Sequence, residues 1–167
     1  MIVATVLTIF SVWRDFPAFE NSYGGPGGGI DMLPKPVSGK LPLLISGGSQ
    51  QEPDWIARNG EGRINHPRAI ATQAQMISGW RAGVETAGCP AKPAVQSLYV
   101  DLMETPDAPP QPIHLGFRSG MNHSQAYLKS LEEIGINHVA MNLRFNQADL
   151  ETTLQRLADE LLPDFPG

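Results

Sequence analysis

Short apolar runs alternate with segments of helical periodicity over most of the chain, from residue 41 onward. Strands are predicted at residues 41–46, 62–65, 95–103 and 138–143, and the first is a continuous apolar run, as in strands covered on both faces. Each run precedes a segment whose apolar residues recur at helical spacing. Strands that alternate with helices need crossover connections, so the pattern predicts an α/β fold with a largely parallel sheet of about four βα units.

The helix that follows the first apolar run is predicted from its capping residues. Ser49 and Glu52 have the spacing of a capping box, and Pro53 suits a first helical turn. A helix is therefore expected over residues 50–59, ending at Gly60.

Three further helices are expected. One begins near Ala69 and ends at Gly88, and another is capped by Ser124 and stopped by Gly135. Between them, the proline-rich stretch TPDAPPQP at residues 105–112 is expected to be irregular. The last helix ends before Pro163 and carries one apolar stripe: Leu150, Leu154, Leu157 and Leu161.

The first forty residues have a different character. The opening MIVATVLTIFSVW is apolar, but it is too short to span a bilayer and lacks the flanks of a signal peptide, so residues 1–23 are expected to hold a buried helix and its lead-in. Residues 24–40 are rich in glycine and proline and predict a long loop. Their glycines do not follow a strand, so a dinucleotide fingerprint is not indicated. We expect one domain over residues 1–167, with the βα units at 41–167.

Composition excludes several classes of function. The formal net charge of -5 and the pI near 5.3 give no basic field for a nucleic acid, and no membrane segment is expected. Cys89 has no cysteine with which to pair, which favours a reducing compartment such as the cytoplasm. No metal-ligand spacing and no local nucleophile signature occur, so no metal site is expected and a hydrolase is not supported.

Two places at strand ends are candidates for binding. Gly47, Gly48 and Ser49 follow the first strand, where backbone N–H groups and a hydroxyl can bind an anion. From spacing alone, however, a tight turn followed by an ordinary helix cap is the better interpretation. His66 and Arg68 follow the second strand and could contact a phosphate, a substrate acid or a reacting ring, with a plain surface loop as the alternative.

Three other residues carry weaker signals. Arg118 and Ser119 could belong to a ligand-side loop, although a surface ion pair is the commoner role for such an arginine. His114 is interpreted as a hydrogen-bonded residue of the core or rim rather than as a ligand.

The order of several motifs resembles the C-terminal half of luciferase-like, flavin-dependent oxidoreductases of the bacterial luciferase superfamily. The motifs are LPKPVSGKLPLLISGGSQQEPDWIARNGEG at residues 33–62, HPR at 66–68, HLGFRSG at 114–120 and GINHVAMNL at 135–143. The resemblance covers about residues 12–166. It implies a partial TIM barrel, a half-barrel in which the four predicted strands are strands five to eight.

The resemblance also implies a cofactor site and an activity. In that family the matching Gly-Ser pair lies against the flavin phosphate, so Gly48 and Ser49 are expected to contact it, with Gly47 allowing the turn. The implied cofactor is FMN or another reduced flavin, with a deazaflavin as the alternative and no metal. The implied reaction is oxidoreduction of a small molecule, as a monooxygenase that uses reduced flavin and O2.

The N-terminal half of that barrel has no counterpart in this sequence, so the chain is expected to be a truncated or split half that is inactive alone. A non-catalytic remnant or assembly module of the same fold is the alternative, and a stand-alone phosphate-ligand binder ranks third. The open sheet predicts a homodimer or association with a separate N-terminal half. Leu44, Val100 and Met141 are expected on the inward face of the sheet.

Overall fold

The computed structural model describes residue 37, residues 42–47 and residues 51–165. The chain divides into two compact units, Met1–Leu43 and Leu44–Gly167, and every helix and strand described below belongs to the second. The helix expected in residues 1–23 and nearly all of the loop at 24–40 lie outside the described residues. The single-domain organisation over 1–167 therefore stays a prediction.

The described part contains six strands and four α-helices. The strands are β1 (Leu44–Ser46), β2 (Gly62–Asn65), β3 (Ala94–Leu102), β4 (Gln111–Ile113), β5 (Gly116–Ser119) and β6 (His138–Asn142). The helices are α1 (Pro53–Asn59), α2 (Ile70–Thr86), α3 (Met121–Glu133) and α4 (Leu150–Arg156), and α4 continues into a π-helical turn, Leu157–Leu161, and a 3-10 turn, Leu162–Asp164.

Strand β3 is the centre of the sheet and pairs with three others. Val95 pairs with Ile64 of β2 and His138 of β6, so β2 and β6 lie on opposite edges of β3. Farther along, Tyr99 pairs with both β5 and β6, which places β5 on the same edge as β2. All these pairings and the β1–β2 pairing are parallel. The order β1-β2-β3-β6, with helices in the connections, is the predicted partial TIM barrel of four βα units.

The first helix begins later than its sequence suggested. Helix α1 starts at Pro53, and its N-cap is Glu52 with φ -66° and ψ 146°, not Ser49. The reason is steric, because the proline ring excludes the helical region for the residue before it. The capping-box prediction is therefore wrong.

The proline-rich stretch ends in structure that the sequence analysis missed. Strand β4 pairs antiparallel with β5 and forms a hairpin whose turn is His114 and Leu115. Among the described strands β4 pairs only with β5, and an edge position of this kind tolerates Pro112. The expected irregular excursion is thus partly wrong.

Helix α3 begins at Met121, three residues before the predicted cap. Its N-cap is Gly120, while Ser124 lies buried in the first turn with its hydroxyl donating to the Gly120 carbonyl over 3.3 Å. A Cβ on Gly120 would lie 2.0 Å from the carbonyl oxygen of Pro106, so the close approach of two backbones explains the glycine.

The two faces of the sheet differ in what they contact. One face carries Gln96, Leu98 and Val100 of β3, all almost fully buried. Gln96 hydrogen-bonds to α2 and α3 side chains there, so we name it the helix face. The opposite face, here the inner face, carries Ser46, Ser97 and Tyr99.

The expected inward residues divide between the two faces. Leu44 lies on the inner face and is 37% exposed. Val100 is 2% exposed and lies on the helix face, and Met141 pairs with Leu98 and therefore shares that face. Strand alternation decides this, because residues an even number of positions apart share a side. The prediction was wrong for Val100 and Met141.

Only half of the apolar stripe expected on the last helix is buried. Leu157 and Leu161 are buried, whereas Leu150 and Leu154 are 54% and 52% exposed. Thr153 takes the buried position one turn before Leu157. Its hydroxyl donates to the Asp149 carbonyl over 2.8 Å, so a polar residue can be buried there without an unpaired group.

Candidate functional site

The carboxyl ends of β1 and β2 lie side by side and reach β3 near residue 96, well before the end of β3 at Leu102, and parallel barrels place their ligands at the carboxyl ends of strands. Gly47 follows β1 with φ +57°, the left-handed conformation that glycine adopts at little cost. Its N–H donates to the Ile64 carbonyl over 3.1 Å, so that group serves the β1–β2 connection. Among the described residues, no atom other than those of its chain neighbours lies within 4 Å of where a Cβ would be. Gly48 and Ser49 lie outside the described residues.

The N-terminus of α1 is poorly suited to an anion. The helix has seven residues, and its first position is Pro53, which has no N–H to offer. Exposed Glu52 and Asp54 carry negative charge at the same end. A phosphate at the end of β1 would therefore not depend on the N-terminus of this helix.

His66 is the centre of a polar row that joins the carboxyl ends of β1 and β2 to the middle of β3. Its Nε2 lies 3.5 Å from the Ser46 hydroxyl at the end of β1, and its Nδ1 lies 3.3 Å from the Ser97 hydroxyl on β3. Both distances are at the long end of the hydrogen-bond range. Since a hydroxyl can donate or accept, the row accommodates either tautomer of the exposed imidazole. The sequence singled out His66, but it gave no sign of the two serines.

Arg68 lies two residues farther along the same loop and is exposed. Its backbone N–H donates to Gln73 Oε1 over 3.4 Å, while its guanidinium makes no hydrogen bond or ion pair within the described ranges. The structure therefore brings His66, but not the Arg68 side chain, into the polar row.

Arg118 and Ser119 have structural partners. Arg118 lies opposite Asp101 across β3 and β5, with Nε 3.3 Å from Oδ2, close enough for an ion pair although not aligned for a hydrogen bond. The buried Asp101 also accepts the Gln147 N–H over 3.0 Å. Ser119 is fully buried, with its hydroxyl 3.2 Å from that of Ser124. Arg118 thus forms an ion pair as the alternative expected, but with a buried carboxylate rather than at the surface.

A buried chain of polar side chains supports the polar row from the helix face. Gln73 on α2 accepts from the Arg68 N–H and donates to Gln96 Oε1 on β3. Gln96 in turn donates to the Tyr127 hydroxyl on α3 over 3.0 Å. This chain ties the loop that carries His66 to two helices and the central strand. Sequence reasoning missed it, because a glutamine in an amphipathic helix is ordinarily exposed.

The described residues contain neither a membrane-spanning helix nor a cluster of metal ligands. Within residues 37, 42–47 and 51–165, no helix is both long and apolar enough to cross a membrane. Over the same residues, no three side chains of histidine, cysteine, aspartate or glutamate come together as metal ligands.

Comparison with known proteins identifies the architecture. No protein-family profile matches the sequence, and no curated protein matches it significantly. Among solved structures, an F420-dependent secondary alcohol dehydrogenase in complex with an F420-acetone adduct is similar, with a TM-score of 0.66 and 15% identity. The likeness shows the fold. It covers 93% of this chain but 58% of that protein, so the chain spans a little over half of its neighbour's length.

Proposed function

We propose that the chain is the C-terminal half of a luciferase-like oxidoreductase that binds a deazaflavin of the F420 type and acts on a small molecule in the cytoplasm. The observation that carries this proposal is the Ser46–His66–Ser97 row, which lies at the carboxyl ends of β1 and β2, the end of the strands at which barrel enzymes bind their ligands. The cofactor of the structural neighbour supports the deazaflavin over FMN, and the order of sequence motifs supports the superfamily.

The residues present fit such a cofactor. No described atom other than those of its chain neighbours approaches the Cβ position of Gly47, and the polar row supplies hydrogen-bonding groups at the ends of β1 and β2 and within β3. We propose that Ser46, His66 and Ser97 hold polar groups of the cofactor and that Gly48 and Ser49 hold its phosphate. When bound, a deazaflavin supplies hydride transfer, whereas a reduced flavin would supply the O2 chemistry of a monooxygenase.

Cofactor titration of single-site variants tests this proposal. His66→Ala and Ser97→Ala should each weaken F420 binding about fivefold, the effect of one hydrogen bond of roughly 1 kcal/mol. Ser49→Ala should weaken it by a similar factor if the phosphate lies at the turn. Ser130→Ala is the matched control, because that hydroxyl donates within α3 to Ala126.

Fluorescence titration of the purified chain with F420 and with FMN gives the readout. Tighter binding of FMN would return the cofactor assignment to a flavin. Binding of neither cofactor would contradict the proposal and favour a non-catalytic module of the same fold. Affinities unchanged in both His66→Ala and Ser97→Ala would remove the polar row from the site.

Turnover tests the half-barrel part of the proposal separately. We expect cofactor binding by the chain alone without cofactor-dependent alcohol oxidation or oxygen consumption, because four strands supply half of a barrel pocket. Turnover at an ordinary enzymatic rate without a partner chain would contradict this expectation.

A further inference from the structure

Three aromatic rings lie together beyond the polar row, and the proposed cofactor contacts do not explain them. We name them the aromatic cluster: Tyr99 of β3, His114 at the hairpin turn and Phe145 in the loop after β6. The Tyr99 ring centroid lies 5.0 Å from that of Phe145 and 5.8 Å from that of His114. Residues from three separate segments thus converge at the level where β6 ends and β5 begins along β3.

The hairpin is held against β3 by a strained turn. Leu115 has φ +48°, a left-handed conformation that is costly for a residue with a side chain. Its carbonyl accepts the Tyr99 N–H over 3.1 Å. A Cβ on the next residue, Gly116, would lie 1.8 Å from the Tyr99 carbonyl oxygen, so only glycine allows the strands to come this close. Strain of this kind is often kept where it places a functional side chain, here His114.

The loop that carries Phe145 is fixed equally firmly. Asn146 Oδ1 accepts the Leu102 N–H over 3.2 Å, and Asn146 Nδ2 donates to Thr153 Oγ1 over 2.9 Å. The next residue, Gln147, donates its N–H to Asp101. Phe145 is therefore positioned from both the end of β3 and helix α4.

The aromatic cluster is not ordinary core packing. Phe145 is 40% exposed, His114 is exposed and Tyr99 is half-buried. A second set of rings, Phe117 with His123 and Tyr127, packs on the helix face and supplies a direct contrast. The aromatic cluster lies on the inner face instead, two residues along β3 from Ser97 of the polar row.

We propose that the aromatic cluster binds a planar conjugated ring at the same site as the cofactor, which rests on the proposed function. Exposed aromatic rings attract another π-system by offset or edge contacts that a saturated ring of similar size cannot make. The Arg144 guanidinium lies 5.9 Å from the Phe145 ring centroid and adds a cation beside the cluster. The ring can come from the cofactor or from an aromatic alcohol or ketone substrate.

Ligand-observed NMR and calorimetric titration of the full chain, with three probes, test this. Lumichrome represents the flavin-like ring without its phosphate arm, 1-phenylethanol represents an aromatic substrate, and 1-cyclohexylethanol is its saturated match. We expect lumichrome or 1-phenylethanol to bind at least threefold more tightly than 1-cyclohexylethanol. Phe145→Leu should weaken binding of that probe about three- to tenfold, the effect of one aromatic pair. The probe that responds identifies the source of the ring.

Two variants keep the outcome interpretable. Tyr99→Phe retains a ring and should bind like the wild type, and Phe117→Leu removes a ring from the opposite face and should also have no effect on probe affinity. Equal binding of the saturated probe, no binding of any probe, or equal losses in Phe145→Leu and Phe117→Leu would overturn the proposal. Because no probe carries a phosphate arm, the proposal for the aromatic cluster can fail while F420 binding through the polar row persists. Equally, the probes can bind to the aromatic cluster when F420 does not bind.

Discussion

Tyr127 shows how the hydroxyl of one half-buried side chain links the polar chain of the helix face to stability. Burial raises the pKa of this phenol above 10.0, and the hydrogen bond from Gln96 opposes the shift in part. The unfolded chain therefore releases this proton at lower pH than the folded chain. From about pH 10 upward the unfolded state binds fewer protons than the folded state. The contribution of Tyr127 to stability is therefore complete below that pH and is lost as the pH rises through the raised pKa.

Tyr127→Phe is expected to change stability in two pH ranges. Near pH 7 the free energy of unfolding of the variant should be about 1–3 kcal/mol lower than that of the wild type, because Gln96 Nε2 loses its acceptor in a buried site. Above about pH 10 the difference from the wild type should shrink. Urea unfolding at a series of pH values measures both effects, and a constant difference from pH 7 to pH 11 would contradict the assignment.

At the scale of residues, the sequence indicated candidate site residues better than it indicated the side chains that they contact. His66 was identified because it follows a predicted strand, and the φ of Gly47 agrees with the turn that was expected there. The serines of the polar row come from β1 and β3, far apart in the sequence, so only the strand register brings them to His66. The glutamines of the buried chain could not be separated from exposed ones without the fold.

At the scale of elements, two glycines have opposite surroundings. Gly116 lies in β5 against the backbone of β3, whereas Gly79 is exposed in α2 with open space around a Cβ. Gly79→Ala should raise the free energy of unfolding by about 0.5–1 kcal/mol, because alanine loses less backbone entropy in a helix. Gly116→Ala should lower it by roughly 1–3 kcal/mol, since β5 must move away from β3.

Thermal unfolding of both variants under identical conditions is the measurement. We expect the midpoint to rise for Gly79→Ala and to fall for Gly116→Ala. If Gly116→Ala were as stable as the wild type, the close approach of the hairpin to β3 would be wrong.

Elements with strong periodicity or clear boundaries were predictable from sequence, and those set by a neighbour were not. Strands β2, β3 and β6 and helix α2 were located to within a residue or two. The β4–β5 hairpin was missed because its turn, His114 and Leu115, lacks the glycine or asparagine that usually marks a two-residue hairpin. Pairing with β3 imposes the conformation of this turn, and the residues of the hairpin alone do not indicate that pairing.

At the scale of the molecule, the open edges of the sheet matter most. Among the described strands, β1 pairs only with β2 and β6 only with β3. A cavity of about 340 Å³ lies beside β6, lined by apolar side chains that include Leu131, Met141 and Phe165. We propose that these edges are covered by a second copy of the chain or by a separate N-terminal half, because exposed strand edges promote association.

Sedimentation velocity at micromolar concentration tests the association. We expect dimers or larger species, and loss of cooperative unfolding when the chain is diluted far below that range. A single monomeric species with a cooperative thermal transition at every concentration would contradict the proposal.

The position of β3 also has a consequence for the order of folding. β3 is the partner of β2, β5 and β6, so apart from the β1–β2 and β4–β5 pairs the sheet cannot assemble before β3 is in place. Its pairings with β2 and β6 close long chain loops, and such contacts form slowly because loop entropy is lost before the contacts stabilise. In a nascent chain on the ribosome, β1 and β2 would therefore emerge before β3, and the whole of β3 is free to pair only after residue 102 has left the exit tunnel. During that interval β1 and β2 lack the partner strand that the finished sheet provides.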